Sequence, residues 1–151
     1  MKPYKEESPT YQIGSTAVLS KKAIQRDLKK SGVKITLEQM SVLNILVEKD
    51  HVTMTEISEK NIRDNSATTR VVDILVKKGF LQRETSSSDR RALFINLTES
   101  GKMEVMKANN IGRKYVSKIT KGIDEEELNI FLSVIKQMKK NIISLYKSNI
   151  N

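Results

Sequence analysis

The sequence predicts a mostly α fold with one small β-hairpin, flanked by longer helices at both ends. Three observations predict it. Apolar residues recur at helical spacing over most of the chain, and both prolines, Pro3 and Pro9, precede the first such run. Two capping-box patterns, Thr36 with Gln39 and Thr53 with Glu56, mark successive helix starts. Further on, two short runs of β-formers flank a small, polar, charged segment, the pattern of a hairpin. Helix, turn, helix and hairpin in that order make a winged helix-turn-helix with a small β-wing, and the N- and C-terminal helices remain as dimerisation helices.

The first helix is expected from about Tyr11 to Lys30 on Ile13, Ala17, Ile24 and Leu28, with the segment before it extended. Gly32 stops it, because glycine tolerates positive φ. The second starts at Thr36, and Met40, Leu43, Ile45, Leu46 and Val47 make it a core helix. His51 and Val52 pair as a very short strand, with His51 an ordinary loop histidine. Thr53 opens a third, short helix to about Lys60, anchored inward by Ile57. Asn61 to Asp64 is the turn, and Asp64 or Asn65 caps a fourth helix that runs to Lys78 before Gly79.

The fourth helix divides into two faces. Thr68, Val71, Val72 and Leu75 form an inward stripe, while Ser66, Thr69, Arg70, Asp73 and Lys77 take the other side. Small hydroxyls beside an arginine suit a major groove, where the backbone must approach closely and Arg can donate two hydrogen bonds to guanine. Any amphipathic surface helix also has a polar stripe, so the hairpin carries weight. Its strands are Phe80 to Glu84 and Ala92 to Leu97, and Thr85 to Arg91 is its tip. From Lys60 to Arg91, eight basic residues stand against four acidic ones, an excess assigned to the helix-turn-helix and wing.

Thr98 caps a fifth helix, about Glu99 to Lys121, with Gly112 inside it, and Gly122 breaks the chain. The last helix opens on Asp124 to Glu127 and carries Lys136, Lys139, Lys140 and Lys147 towards its end, complementing the helix dipole. Leu128, Phe131, Leu132, Ile135, Met138, Ile142 and Leu145 form a stripe longer than a core of this size needs to cover. With the first helix it reads as a homodimer interface.

The 151 residues suit one domain, residues 1–151, with a lobe at about 36–98 and dimerisation helices at about 11–32 and 99–148. The formal charge of +9 raises the odds of a polyanionic partner without deciding it. The absence of cysteine excludes disulfides, thiol switches and Cys-ligated metal sites, and one histidine makes a metal centre poorly supported. No cofactor is expected. No run reaches the ~18 apolar residues of a spanning helix, so a cytoplasmic protein without membrane contact is expected.

Asp89-Arg90-Arg91-Ala92-Leu93-Phe94-Ile95-Asn96-Leu97-Thr98-Glu99-Ser100-Gly101 resembles the wing signature of the multiple-antibiotic-resistance regulator (MarR) family, an Asp-x-Arg, a strand and Leu-Thr-x-x-Gly. Ser66-x-x-Thr69-Arg70-x-Val72-Asp73-x-Leu75-x-x-Lys78-Gly79 is similar to that family's recognition helix and its exit. The resemblance covers essentially the whole chain. It implies a homodimeric regulator of transcription, a repressor more often than an activator, on a pseudo-palindromic double-stranded operator. Ser66, Thr69 and Arg70, with Asn65 and Ala67 alongside, are then expected in the major groove. Arg91 would reach the minor groove, oriented by Asp89, with Arg90 on a phosphate and Ser87 and Ser88 beside them. Thr53, Lys77 and Arg83 are expected phosphate contacts. A small-molecule effector would bind between the dimer arm and the lobe. Tyr11, Met40, Met103, Met106 and Tyr115 are the candidates to line that pocket, although such side chains at helical spacing more often serve as plain core. One departure is Asn61-Ile62, where many relatives have an apolar residue and then glycine.

The competing reading is a winged-helix module that binds an acidic protein surface. The polar, charged hairpin tip argues against it, since protein docking faces favour aromatics and Met. An enzyme is the weakest reading, because no nucleophile–base pair, metal cluster or phosphate-binding glycine loop is present.

Overall fold

The computed structural model describes residues 8–61, 65–85 and 93–148. The expectations for Pro3, for Ile62, Arg63 and Asp64 of the turn, and for the hairpin tip with Ser87, Ser88, Asp89, Arg90 and Arg91 lie outside these residues, as does the Lys147 side chain, whereas Thr85, expected at the tip, is a strand residue paired with Leu93. The described elements run α1 Pro9–Lys30, α2 Leu37–Glu48, β1 Val52–Thr53, α3 Met54–Lys60, α4 Asn65–Lys77, β2 Leu81–Thr85, β3 Leu93–Leu97, α5 Glu99–Ile119 and α6 Glu125–Ser148.

Local chemistry accounts for most boundaries. Pro9 opens α1 instead of preceding it, with the Ser8 hydroxyl accepting from Tyr11 N at 3.4 Å. Proline fits there because a first-turn residue has no helical acceptor for its N–H and its fixed φ is already helical. Both capping boxes form. Thr36 accepts from Gln39 N at 3.3 Å while Gln39 Oε1 accepts from Thr36 N at 3.2 Å. Thr53 accepts from Glu56 N at 3.2 Å while Glu56 Oε2 accepts from Thr53 N at 2.8 Å. The exits of α1 and α4 share one chemistry. Gly32 (φ +66°) and Gly79 (φ +72°) adopt the left-handed conformation, and the next residues bond back, Val33 N to Leu28 O at 3.0 Å and Phe80 N to Leu75 O at 2.9 Å.

The chain divides into two compact units, residues 1–115 and 116–151. In the first, Ile24 and Leu28 of α1 join Val42, Leu43, Ile45 and Leu46 of α2, Ile57, Val72, Leu75, Ile95, Val105 and Ala108 in one core. Val47 is 49% exposed and not a core residue, because it falls off the face that carries Val42, Leu43 and Leu46. A three-stranded antiparallel sheet, ordered β1-β3-β2, closes one side. Val52 pairs with Ile95, and Leu81 to Thr85 pair with Leu97 to Leu93, so the hairpin is in register along its described length. His51 (φ +60°) precedes this sheet, stacked on Phe94 with ring centroids 4.0 Å apart and bonded through Nδ1 to Asn96 Oδ1 at 3.0 Å.

The second unit holds the last turn of α5 and all of α6. The acidic run does open α6: Asp124 Oδ1 accepts from Glu126 N at 2.8 Å, and Glu127 Oε2 accepts from Asp124 N at 3.3 Å. Phe131, Leu132, Ile142 and Leu145 of its apolar stripe are exposed, and Leu128, Ile135 and Met138 are half-buried.

Candidate nucleic-acid interface

The α3–α4 pair presents one continuous polar face. Thr68, fully buried, faces inward from α4, and its hydroxyl accepts from Asn61 Nδ2 at 3.0 Å. That bond ties the end of α3 to α4 and supplies a physical reason for Asn61 at the turn, where its backbone is extended (φ −81°, ψ 135°). With Thr68, Val72 and Leu75 turned in, Asn65, Ser66, Thr69 and Arg70 are exposed and Ala67 is half-buried. Thr69 donates to its own helix, Oγ1 to Asn65 O at 2.9 Å, which leaves its hydroxyl oxygen available as an acceptor. The Arg70 guanidinium makes no ion pair or hydrogen bond with the described residues.

Sequence reasoning missed the contribution of α3. Met54, Thr55, Ser58 and Glu59 line an open groove of about 340 Å³ together with Asn65 and Thr69. The signal was available, since Thr55, Ser58 and Glu59 fall three and four residues apart on one side of a helix. Glu59 adds a carboxylate beside the face that Arg70 makes basic.

The expected phosphate contacts are placed differently from one another. Lys77 is exposed at the end of α4. Arg83 of β2 is ion-paired with Asp73 of α4, which joins wing to helix. The Thr53 hydroxyl donates to Glu56 Oε2 at 3.0 Å and its N–H goes to the same carboxylate, so both donors are committed to the cap. The ammonium of Lys49, at 2.6 Å, and the Thr53 donors hold the Glu56 carboxyl down at about 2. Positive charge is not confined to this face. α1 alone carries five basic residues against Asp27, with Lys21 paired to Glu38 at 2.7 Å.

The five residues expected around an effector do not converge. Met40 and Tyr115 are half-buried against the core, and the Tyr115 hydroxyl donates to Ser20 Oγ at 3.0 Å. Met103 and Met106 lie 62% and 60% exposed on the side of α5 away from buried Val105 and Ala108, and Tyr11 is 43% exposed. Core packing rotates the helix by Val105 and Ala108, which turns the two methionines outward.

Residues 35–93, from the end of the α1–α2 turn through the start of β3, match the sequence model of the MarR family. That stretch of the chain is similar to the MarR family. Over 108 residues it is 22% identical to the HTH-type transcriptional regulator YdgJ of Bacillus subtilis, covering 72% of this chain and 66% of that protein's length, a little under two thirds. Among solved structures, the transcriptional repressor CouR bound to a 23-mer DNA duplex superposes with a TM-score of 0.82 at 20% identity, covering 92% of this chain and 98% of CouR. S. aureus MepR in its DNA complex superposes with a TM-score of 0.79 at 21% identity, covering 91% and 98%. The chain therefore has the winged-helix fold of these structures, and the likeness extends beyond residues 35–93 to most of the chain.

Proposed function

We propose that this protein is a homodimeric, sequence-specific double-stranded DNA-binding regulator of transcription. The observation that carries the reading is the exposed Asn65-Ser66-Thr69-Arg70 face. Its only arginine has no partner among the described residues, and its other side chains are short enough to let the helix backbone approach a groove floor. A second copy supplies the other half. Ile130, Phe131, Leu132, Val134, Ile142, Ile143, Leu145 and Tyr146 of α6 are each at least 46% exposed in the single chain, a load of apolar surface that a soluble monomer rarely leaves open. Two α4 helices related by a two-fold then read a pseudo-palindrome with half-sites about one helical turn apart. Arg91 takes the minor groove beside each half-site, oriented by Asp89. Binding across a promoter excludes polymerase, which makes the protein a repressor. A small-molecule effector releases it, and half-buried Met40 and Tyr115, where α2 meets α5, are where an inserted ligand alters the packing.

Selection of bound duplexes from a random pool tests this directly. A two-fold symmetric site is the expected product, and an asymmetric or featureless pool rejects the reading. On the selected duplex, Arg70→Ala is expected to cost about 10- to 100-fold in affinity, from the ~1–3 kcal/mol of a bidentate base contact. Lys77→Ala is expected to lower the slope of log affinity against log salt by about one. A salt-independent affinity for random duplex would favour an acidic protein as the partner.

A further inference from the structure

The turn between α1 and α2, Ser31 to Ile35, is held from two directions by charged side chains. From the end of α4, Lys78 Nζ donates to Lys34 O at 2.7 Å and to Gln39 Oε1 at 3.0 Å. Gln39 is a firm anchor, since it is buried and its same oxygen completes the capping box of α2. From α5, the Glu104 carboxylate accepts from Lys34 N, and Lys107 Nζ donates to Gly32 O at 3.1 Å. The backbone of one residue, Lys34, therefore receives an ammonium from the recognition helix on its carbonyl and a carboxylate from α5 on its amide. Lys78 is exposed, yet its ammonium is shared between two fixed acceptors, one of them on buried Gln39.

We infer that Lys78 is a positioning residue for DNA reading, holding the angle of α4 relative to α5 through the backbone of Lys34; this rests on the DNA-binding reading above. The leverage is geometric. The 13 residues of α4 span roughly 20 Å. A tilt of about 5° at the Lys78 end moves Ser66 and Arg70 by roughly 1–2 Å, more than a base-edge hydrogen bond tolerates. Thr98, which caps α5, and Ser100 in its first turn also donate to Gly79 O, at 2.7 and 2.8 Å, so the helix exit stays attached when Lys78 is changed and the fold survives.

The test uses the full chain and the selected duplex. Lys78→Met keeps the apolar stem and removes the donors, Lys78→Arg restores donors, and Glu104→Met removes the second half of the clamp. Lys78→Met is expected to lower affinity for the selected duplex about tenfold, with affinity for random duplex and salt slope unchanged. Lys78→Arg should recover most of the loss, and Lys78→Met/Glu104→Met together should cost no more than Lys78→Met alone. A salt slope lower by about one in Lys78→Met would show a phosphate contact and overturn the inference. So would additive losses, or unchanged discrimination in Lys78→Met while the wild type discriminates. A wild type that does not discriminate between duplexes would instead overturn the DNA-binding reading itself.

Discussion

Gly101→Ala offers a sharp test of how the wing is joined to α5. A Cβ at Gly101 would lie 2.1 Å from the carbonyl oxygen of Phe80, 2.9 Å from its carbon and 3.0 Å from Leu97 Cδ1. Backbone cannot rotate aside as a side chain can, so helix and strand must part by roughly 1 Å to reach van der Waals distance. The same Phe80 oxygen accepts from Thr98 N at 3.1 Å, and the Thr98 hydroxyl accepts from Gly101 N at 3.1 Å, so the displacement strains the cap of α5 as well. Overpacking of this kind costs up to about 3 kcal/mol. Alanine recovers up to ~1 kcal/mol of helix propensity, leaving a net loss of about 2 kcal/mol. For a chain of this length that lowers Tm by about 4–8 °C in a thermal melt followed by circular dichroism. Gly14→Ala in α1 is the control. Among the described residues nothing lies within 4 Å of its Cβ position, so the propensity gain stands alone and Tm should rise. A Gly101→Ala protein that melts with or above the wild type, while Gly14→Ala rises as expected, would refute the close-approach argument.

Three further outcomes follow from other contacts. The carboxyls of Glu38, held by the Lys21 ammonium, and Glu56, held by Lys49, sit at about 2 against an ordinary 4.5, so their stabilisation is complete above pH 4.5 and is lost as pH falls towards 2. The Glu38→Gln/Glu56→Gln variant should show a flatter decline of urea midpoint over that window, and an unchanged decline would refute the assignment. Asn44 of α2 and Asn109 of α5 exchange reciprocal amide hydrogen bonds of 3.2 and 2.7 Å. A double-mutant cycle with Asn44→Ala and Asn109→Ala in urea should return coupling of about 1 kcal/mol, and strictly additive losses would refute it. Phe131→Glu on the exposed face of α6 should shift sedimentation from two chain masses to one at micromolar concentration, whereas a wild type already monomeric there would reject the dimer.

Much of the lobe was legible because its signals are local. Thr36-Gln39 and Thr53-Glu56 needed only four residues each to declare a helix start, and both boxes are made. Gly32, Gly79 and Gly122 are legible as helix ends, and all have positive φ. The Leu-Thr-x-x-Gly run could be read as a signature, but its cause is long-range: Thr98 caps α5 and bonds Gly79 O, and Gly101 admits the Phe80 carbonyl. Thr53 was legible as a cap and not as a residue whose donors are thereby committed. Val47, Met103 and Met106 misled, because apolar character says that a face wants burial and not which face of the helix obtains it.

The sequence by itself determined the order of elements, the two-faced character of α4 and the Ser66-Thr69-Arg70 set it displays, because periodicity and caps act within a turn or two of the chain. Only the tertiary structure decided the pairing of β1 with β3, Arg83 with Asp73, Asn61 with Thr68, and Lys78 with Lys34. Those bonds link residues 7 to 44 positions apart, and the last of them joins the α1–α2 turn to the exit of α4. A lysine, an asparagine and an arginine have the same propensity wherever their partners lie, so no local pattern records such pairings. They form when the core of Leu28, Leu43, Leu46, Val72 and Leu75 packs in one arrangement and brings the remaining donors within reach of their acceptors.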